Sequence, residues 1–301
     1  MTEAVFTGPA DVAARLEAAG YLSDPAIATI TYLAERLGKP VLVEGPAGVG
    51  KTELAKAVAT ARGAQLLRLQ CYEGVDEAKA LYEWNYSKQL LRIQADRDRS
   101  WDETHDDIFG PGYLLERPLL RAITSDVPTV LLIDEVDKVD FEFEALLLEV
   151  LSDFQVTIPE MATVVATRRP FVVLTSNNTR ELSEALKRRC LYLYLDYPDL
   201  EREKAIVAAR VPEVPAQLAD ALVRVVRSLR SLELKKSPSI AETLDWARTL
   251  LELGYDSIDE GVAASTITVL LKHRTDVEKG LAHLAAPAPA PGSRSVPPPR
   301  R

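Results

Sequence analysis

The sequence predicts an α/β fold, a core with a parallel five-stranded sheet covered by helices, followed by an all-helical domain. Five short apolar runs, at 40–44, 65–69, 129–133, 171–175 and 191–195, are separated mostly by stretches of helical spacing. That is the pattern of a buried, mostly parallel sheet. The first run leads straight into a glycine-rich segment, Gly45-Pro46-Ala47-Gly48-Val49-Gly50-Lys51-Thr52, and then into a helical stretch. After Tyr197-Pro198 the strand-like runs stop, and 199–283 show only helical spacing with capping signals. The expected organisation is therefore a core at 1–198 with short N-terminal helices and two hairpin insertions, a helical domain at 199–284, and a tail at 285–301. The tail is Pro, Ala and Ser with three arginines, too poor in apolar bulk to fold, and is expected to be disordered.

In order along the chain, 10–20 carries Val12 and Leu16 at helical spacing and ends at Gly20. Ser23-Asp24-Pro25 starts a second helix, with Ile27, Ile30 and Leu33 on one face and Gly38 as its stop. Leu54 and Val58 define the buried face of the helix after the glycine-rich segment. Tyr82, Trp84 and Tyr86 alternate, which predicts one face of a β-ribbon. The mixed-charge stretch 96–107 reads as a solvated loop or frayed helix. After the turn Gly110-Pro111-Gly112, Leu114-Leu115, Leu119-Leu120 and Ile123 read as one helix. An amphipathic helix is expected at 141–153 and a two-stranded hairpin at 156–159 and 163–166. In the helical domain Asp199 caps one helix, and Ser239 with Glu242 and Ser257 with Glu260 form capping boxes.

Composition narrows the function. The chain has 301 residues, 47% hydrophobic and 27% charged, which is the balance of a soluble globular protein. A formal net charge of −9 argues against nonspecific binding to nucleic acid or to anionic membranes. Cys71 and Cys190 are too few for a disulfide framework or zinc site and sit in apolar runs, so buried thiols are expected. His105, His273 and His283 are scattered, without metal-ligand spacing. No apolar run approaches a membrane span, and Glu3 precedes any arginine without an uninterrupted apolar core behind it. No signal peptide and a cytoplasmic location are the expectations.

The segment 45–52 fits G-x-x-x-x-G-K-[ST] without a mismatch, in the strand–loop–helix context that motif requires. Glycines let successive backbone N–H groups converge on phosphate oxygens, and the helix that follows adds the positive end of its dipole. Lys51 then neutralises the β- and γ-phosphates, and the Thr52 hydroxyl ligates Mg²⁺. Asp134-Glu135, at the end of the most apolar strand, supplies the natural partners: Asp134 for the metal, Glu135 as general base for the attacking water. Asp137-Lys138-Val139-Asp140 looks like the tail of a guanine-recognition motif, but it follows Asp134-Glu135 at once, where a base-reading loop does not belong.

With these motifs in register, residues 20–280 resemble the AAA+ ATPases and, within them, the MoxR-like group. Residues 45–52 correspond to Walker A and Leu131-Leu132-Ile133-Asp134-Glu135 to Walker B. Thr175-Ser176-Asn177 stands where the family carries its sensor 1 asparagine, and Leu186-Lys187-Arg188-Arg189-Cys190 where its arginine finger lies. The resemblance implies ATP and Mg²⁺ as cofactors. Gly45, Pro46, Ala47, Gly48, Val49, Gly50, Lys51, Thr52 and Glu53 would bind the nucleotide, Thr52 and Asp134 the metal, and Glu135, Lys51, Asn177 and Arg189 would act in catalysis. Arg189 (runner-up Arg188) would reach the site of a neighbouring subunit, which implies a ring, by family a homo-hexamer. The segments 82–86 and 156–166 would be the two MoxR-like hairpins, facing a pore or partner unless Trp84 and Tyr86 pack on their own domain. One departure stands out: Ser237-Pro238-Ser239 replaces the Ser-Pro-Arg context of the sensor 2 arginine, leaving Lys235, Lys236 or Arg248 as substitutes.

The resemblance implies an ATP-hydrolysing, chaperone-like remodeller that matures a partner enzyme or inserts its cofactor, often beside a protein with a von Willebrand A domain. Two other readings stay open: an ATP-dependent binding switch or scaffold with little turnover, and a DNA-acting motor, which the acidic charge disfavours.

Overall fold

The computed structural model describes residues 4–95, 107–159 and 161–285. The mixed-charge stretch at 96–106 and the tail at 286–301 lie outside them. The chain divides after Asp196 into two compact units.

The first unit opens with α1 (Pro9–Ala18) and α2 (Pro25–Leu37), the latter capped by the Asp24 carboxylate on the Ile27 N–H at 2.8 Å and closed by left-handed Gly38. There follow β1 (Val41–Glu44), α3 (Lys51–Arg62), β2 (Gln65–Gln70), α4 (Glu77–Ala80), β3 (Tyr82–Trp84), α5 (Tyr86–Ala95), β4 (Leu114–Glu116), α6 (Pro118–Thr124), β5 (Thr129–Asp134), α7 (Phe141–Asp153), β6 (Gln155–Thr157), β7 (Thr163–Val165), β8 (Phe171–Ser176), α8 (Glu184–Arg189) and β9 (Leu191–Tyr194). The main sheet is parallel throughout, in the order β2-β5-β8-β1-β9. Every residue of β1, β5 and β8 is buried, as central strands covered on both faces must be. In this order the C-terminal ends of β1, β5 and β8 lie side by side, where open α/β sheets hold their ligands.

Two antiparallel pairs stand outside the main sheet, β3 with β4 and β6 with β7. Three sequence-based expectations are corrected here and in the second unit. The β-ribbon ends at Trp84, and Tyr86 begins α5, because the Asn85 side chain accepts the Lys88 N–H at 3.0 Å and caps that helix. Trp84 is buried against its own unit, edge-on to Phe109 with ring centroids 5.2 Å apart, whereas Tyr86 is exposed. Leu114 and Leu115 belong to strand β4, not to the following helix: Pro118 keeps Arg117 extended and fixes the helix start.

The second unit holds α9 (Leu200–Arg210), α10 (Ala216–Arg230), α11 (Ile240–Glu252), α12 (Glu260–Thr266) and α13 (Arg274–Leu284), with no strand among its described residues. Its core gathers Val207, Leu222, Val226, Leu229, Trp246 and Leu250. Gly280 lets α13 approach closely, since a Cβ there would lie 2.8 Å from Leu271. The Ser239–Glu242 capping box forms. The second expected box does not: Asp259, not Ser257, caps α12, its carboxylate accepting the Val262 N–H at 2.8 Å. A carboxylate next to the first turn also meets the helix dipole, which a serine hydroxyl does not.

Candidate active site

The loop between β1 and α3 needs glycine at particular places. Gly45 has φ +149°, and a Cβ there would sit 1.9 Å from the backbone carbonyl of Leu195, so no side chain fits. Gly48 and Gly50 also have positive φ, at +76° and +102°. Gly50 is the N-cap of α3, so the helix begins at Lys51 with its first N–H groups directed back toward the loop.

Lys51 is buried, and its ammonium donates to the carbonyls of Gly45 (2.6 Å) and Pro46 (2.8 Å) and to Asn177 Oδ1 (2.8 Å). Burial pulls its pKa below the usual lysine value, while the charges of Asp137, Asp134 and Glu135 oppose that pull. Thr52 Oγ1 donates to Asp134 Oδ1 at 3.1 Å. Thr175 Oγ1, on β8, donates to the same oxygen at 2.5 Å and accepts the Glu135 N–H at 2.9 Å. Three strand ends thus bring together Lys51 and Thr52, Asp134 and Glu135, and Asn177, residues up to 126 positions apart in sequence.

Glu135 sits in the left-handed region at φ +60°, unusual for a non-glycine residue. Its carboxylate accepts from Gln70 Nε2 at 3.0 Å and from Lys138. The turn Val136–Lys138 that follows tucks Asp137 inward. Burial raises its pKa, but the Thr179 hydroxyl (2.6 Å) and N–H (2.9 Å) on Oδ2 outweigh this and hold it below the usual carboxylate value. Among the described residues its Oδ1 is buried without a hydrogen-bond partner.

Arg189 ends α8 with an exposed guanidinium, its Nε donating to Ser152 Oγ at 2.7 Å. The neighbouring Arg188 is exposed and makes no side-chain hydrogen bond or ion pair among the described residues. Neither arginine joins the cluster around Lys51 in its own chain. Three participants had not been singled out from sequence. Arg68 pairs with Asp134 at 2.5 Å, Gln70 holds Glu135, and Asp137 stands out in the sequence only as part of a guanine-like motif.

A hydroxyl and a carboxylate at hydrogen-bonding distance are hard oxygen donors that suit Mg²⁺, which keeps several waters and shares its shell with phosphates. Among the described residues no group of three or more His, Cys, Asp or Glu side chains forms a self-sufficient metal cage. Thr52 and Asp134 would hold the ion, whose chemistry would be to neutralise charge on the phosphate oxygens.

A glycine loop at a helix N-terminus, with its lysine and threonine facing an acidic strand end, defines a P-loop nucleotide-binding protein. The family profile of the ATPase family associated with various cellular activities (AAA) matches residues 41–195, and the chain belongs to that family. Among its relatives, the gas vesicle ATPase GvpN of Haloferax mediterranei is 26% identical over 207 residues, covering 64% of this chain and 57% of that protein. The denitrification regulatory protein NirQ of Stutzerimonas stutzeri is 25% identical over 214 residues, 68% and 69% of the two chains. A solved structure of the Thermotoga maritima RuvB Holliday junction branch migration motor matches 81% of this chain and 67% of its own at 18% identity, with a TM-score of 0.45. No helix among the described residues is long and apolar enough to cross a membrane.

Proposed function

We propose that this AAA protein is a MoxR-like, ring-forming ATPase that uses Mg²⁺ and ATP hydrolysis to remodel a protein client. The observation that carries the catalytic part is the convergence of Lys51, Thr52, Asp134, Glu135 and Asn177 at three adjacent strand ends. In this reading the N–H groups of residues 45–53 hold the phosphates and Lys51 leaves its loop carbonyls for them. Glu135 takes a proton from the attacking water, and Asn177 orients that water. Arg189, exposed and outside its own chain's cluster, serves a neighbouring subunit in a homo-hexamer. The β3–β4 and β6–β7 pairs support the MoxR-like assignment, as do distant relatives whose names describe an ATPase and a regulatory protein. The work would be chaperone-like, in maturation or cofactor insertion of a partner enzyme in the cytoplasm, with a von Willebrand A domain protein as co-partner.

Subunit mixing tests the arrangement. Arg189→Ala and Glu135→Gln alone should each bind nucleotide yet release phosphate at least a hundredfold more slowly than the parent. Mixed rings should regain turnover, because a Glu135→Gln subunit lends its Arg189 to an Arg189→Ala site. An Arg189→Ala protein with full activity sinks the trans assignment, and a parent no faster than Glu135→Gln sinks hydrolysis itself.

A further inference from the structure

We propose that Arg68 is an internal stand-in for the metal: its guanidinium and Mg²⁺ take the Asp134 carboxylate in mutual exclusion. This rests on the reading of Thr52 and Asp134 as the Mg²⁺ ligands. β2 and β5 pair in parallel with Gln70 opposite Asp134, so Arg68, two residues earlier on the same face of β2, reaches along the strand to the carboxylate. Arg68 Nη2 lies 2.5 Å from Asp134 Oδ2. The other partners of this carboxylate are the hydroxyls of Thr175 (2.5 Å) and Thr52 (3.1 and 3.3 Å), so Arg68 is its only ion-pair partner among the described residues.

The two ends of the pair differ in freedom. The Asp134 side chain is 4% exposed and fixed by two hydroxyls, while that of Arg68 is 49% exposed and, among the described residues, anchored otherwise only through Gln70. A carboxylate this buried is costly to leave uncompensated. A guanidinium that is half in solvent compensates it and can still swing away with little loss of packing. A divalent cation seeking the same oxygens would meet the positive charge of Arg68 at contact distance, and the two repel. Arg68 therefore does two opposed things. Without metal it cancels the charge that would otherwise repel the β-phosphate, and with metal it competes for the ligand.

The test is the affinity of a fluorescent N-methylanthraniloyl ADP, measured in EDTA and then across a Mg²⁺ titration, for the parent, Arg68→Ala and Arg68→Lys. Arg68→Ala should bind the probe roughly three- to tenfold more weakly in EDTA, and should reach half-maximal Mg²⁺ response at a roughly three- to tenfold lower Mg²⁺ concentration. Arg68→Lys, which keeps the charge, should recover most of the EDTA affinity. If Arg68→Ala does not fold, Arg68→Lys and Arg68→Gln carry the same comparison, with Gln in the place of Ala. An equal loss with and without Mg²⁺ would make Arg68 a phosphate contact and overturn the proposal, as would no change in either. A parent protein that does not bind the probe in any condition would instead overturn the nucleotide reading beneath it, and the proposal with it.

Discussion

Asn177→Ala separates two contributions of one side chain. In the structure Asn177 Oδ1 is one of three acceptors for the three N–H bonds of a buried ammonium, with the carbonyls of Gly45 and Pro46 as the others. Truncation leaves one of these donors without its partner. A hydrogen bond to a charged group contributes about 1.5–3 kcal/mol. For a unit of nearly two hundred residues, each kcal/mol moves the melting temperature by about 2–4 °C. The nucleotide-free variant should therefore melt roughly 3–12 °C lower. In the complex, phosphate oxygens offer Lys51 new acceptors, so the ADP-bound form should lose much less. Because the free state is the one weakened, ADP should bind about tenfold more tightly, at 1.4 kcal/mol per factor of ten. If Asn177 also orients the attacking water, turnover should fall in the same variant. Thermal melts with and without ADP, calorimetric ADP titration and phosphate release measure all three. A melting temperature within a degree of the parent without nucleotide, or an equal loss in both states, would refute the argument.

Other expectations follow from the same geometry. In the second unit Glu203 is fully buried and doubly bonded to Arg230, at 2.7 and 2.8 Å. Glu203→Ala strands a buried guanidinium and should cost about 3–5 kcal/mol, whereas Glu203→Leu with Arg230→Met, which removes both charges, should cost less than Glu203→Ala; urea unfolding followed by tryptophan emission compares them. Gly45→Ala drives a methyl into the Leu195 carbonyl and should abolish nucleotide-induced stabilisation in the melting assay, even where the protein still folds. Burial pushes the thiols of Cys71 and Cys190 up from 9.0 to about 12, with the Asp134 charge adding to Cys71. The unfolded chain then loses these protons first, so the thiols lower stability as pH rises from about 9 toward 12. At pH 8 both should resist alkylation until urea unfolds the chain, and rapid modification of the native protein would contradict their burial.

The fold was legible where one physical requirement dominates. The central strands are apolar because both faces are covered, and the 45–52 loop has glycine where positive φ or backbone contact demands it. What stayed hidden depends on register. On β2 the polar Arg68 and Gln70 look like the solvated face of an edge strand, and only the pairing of Gln70 opposite Asp134 turns them toward Walker B. Asp137 was misleading for a related reason. Sequence spacing matched a base-reading motif, while the left-handed turn at Glu135 carries it inward to Thr179. Tyr86 failed because three alternating aromatics are too few to fix a period. The spacing of Tyr86, Leu90 and Ile93 continues as a helix, and Asn85 marks its start.

The Ser237-Pro238-Ser239 turn, where the resemblance sets the expectation of a sensor 2 arginine, lies in the second unit. The loop before α11 is held from two sides. The buried Asp276 carboxylate accepts the N–H groups of Lys235 and Lys236, both at 3.1 Å, and Arg230 Nε donates to the Pro238 carbonyl at 2.7 Å. Ser239 is then committed to its capping box, its N–H on Glu242 at 2.9 Å. Of the cations expected from sequence as substitutes, Arg248 is paired with Asp245 and Lys236 lies 3.5 Å from Glu242. Lys235 alone keeps an exposed ammonium with no side-chain partner among the described residues. Arg230 itself is consumed by Glu203 and by the Tyr197 ring, 4.4 Å from its guanidinium carbon. Arg230 and Asp276 thus fix the shape of the loop before α11. Because Glu203 in turn holds Arg230, the shape of this loop should depend on Arg230, Glu203 and Asp276 more than on any cation at the Ser237-Pro238-Ser239 turn.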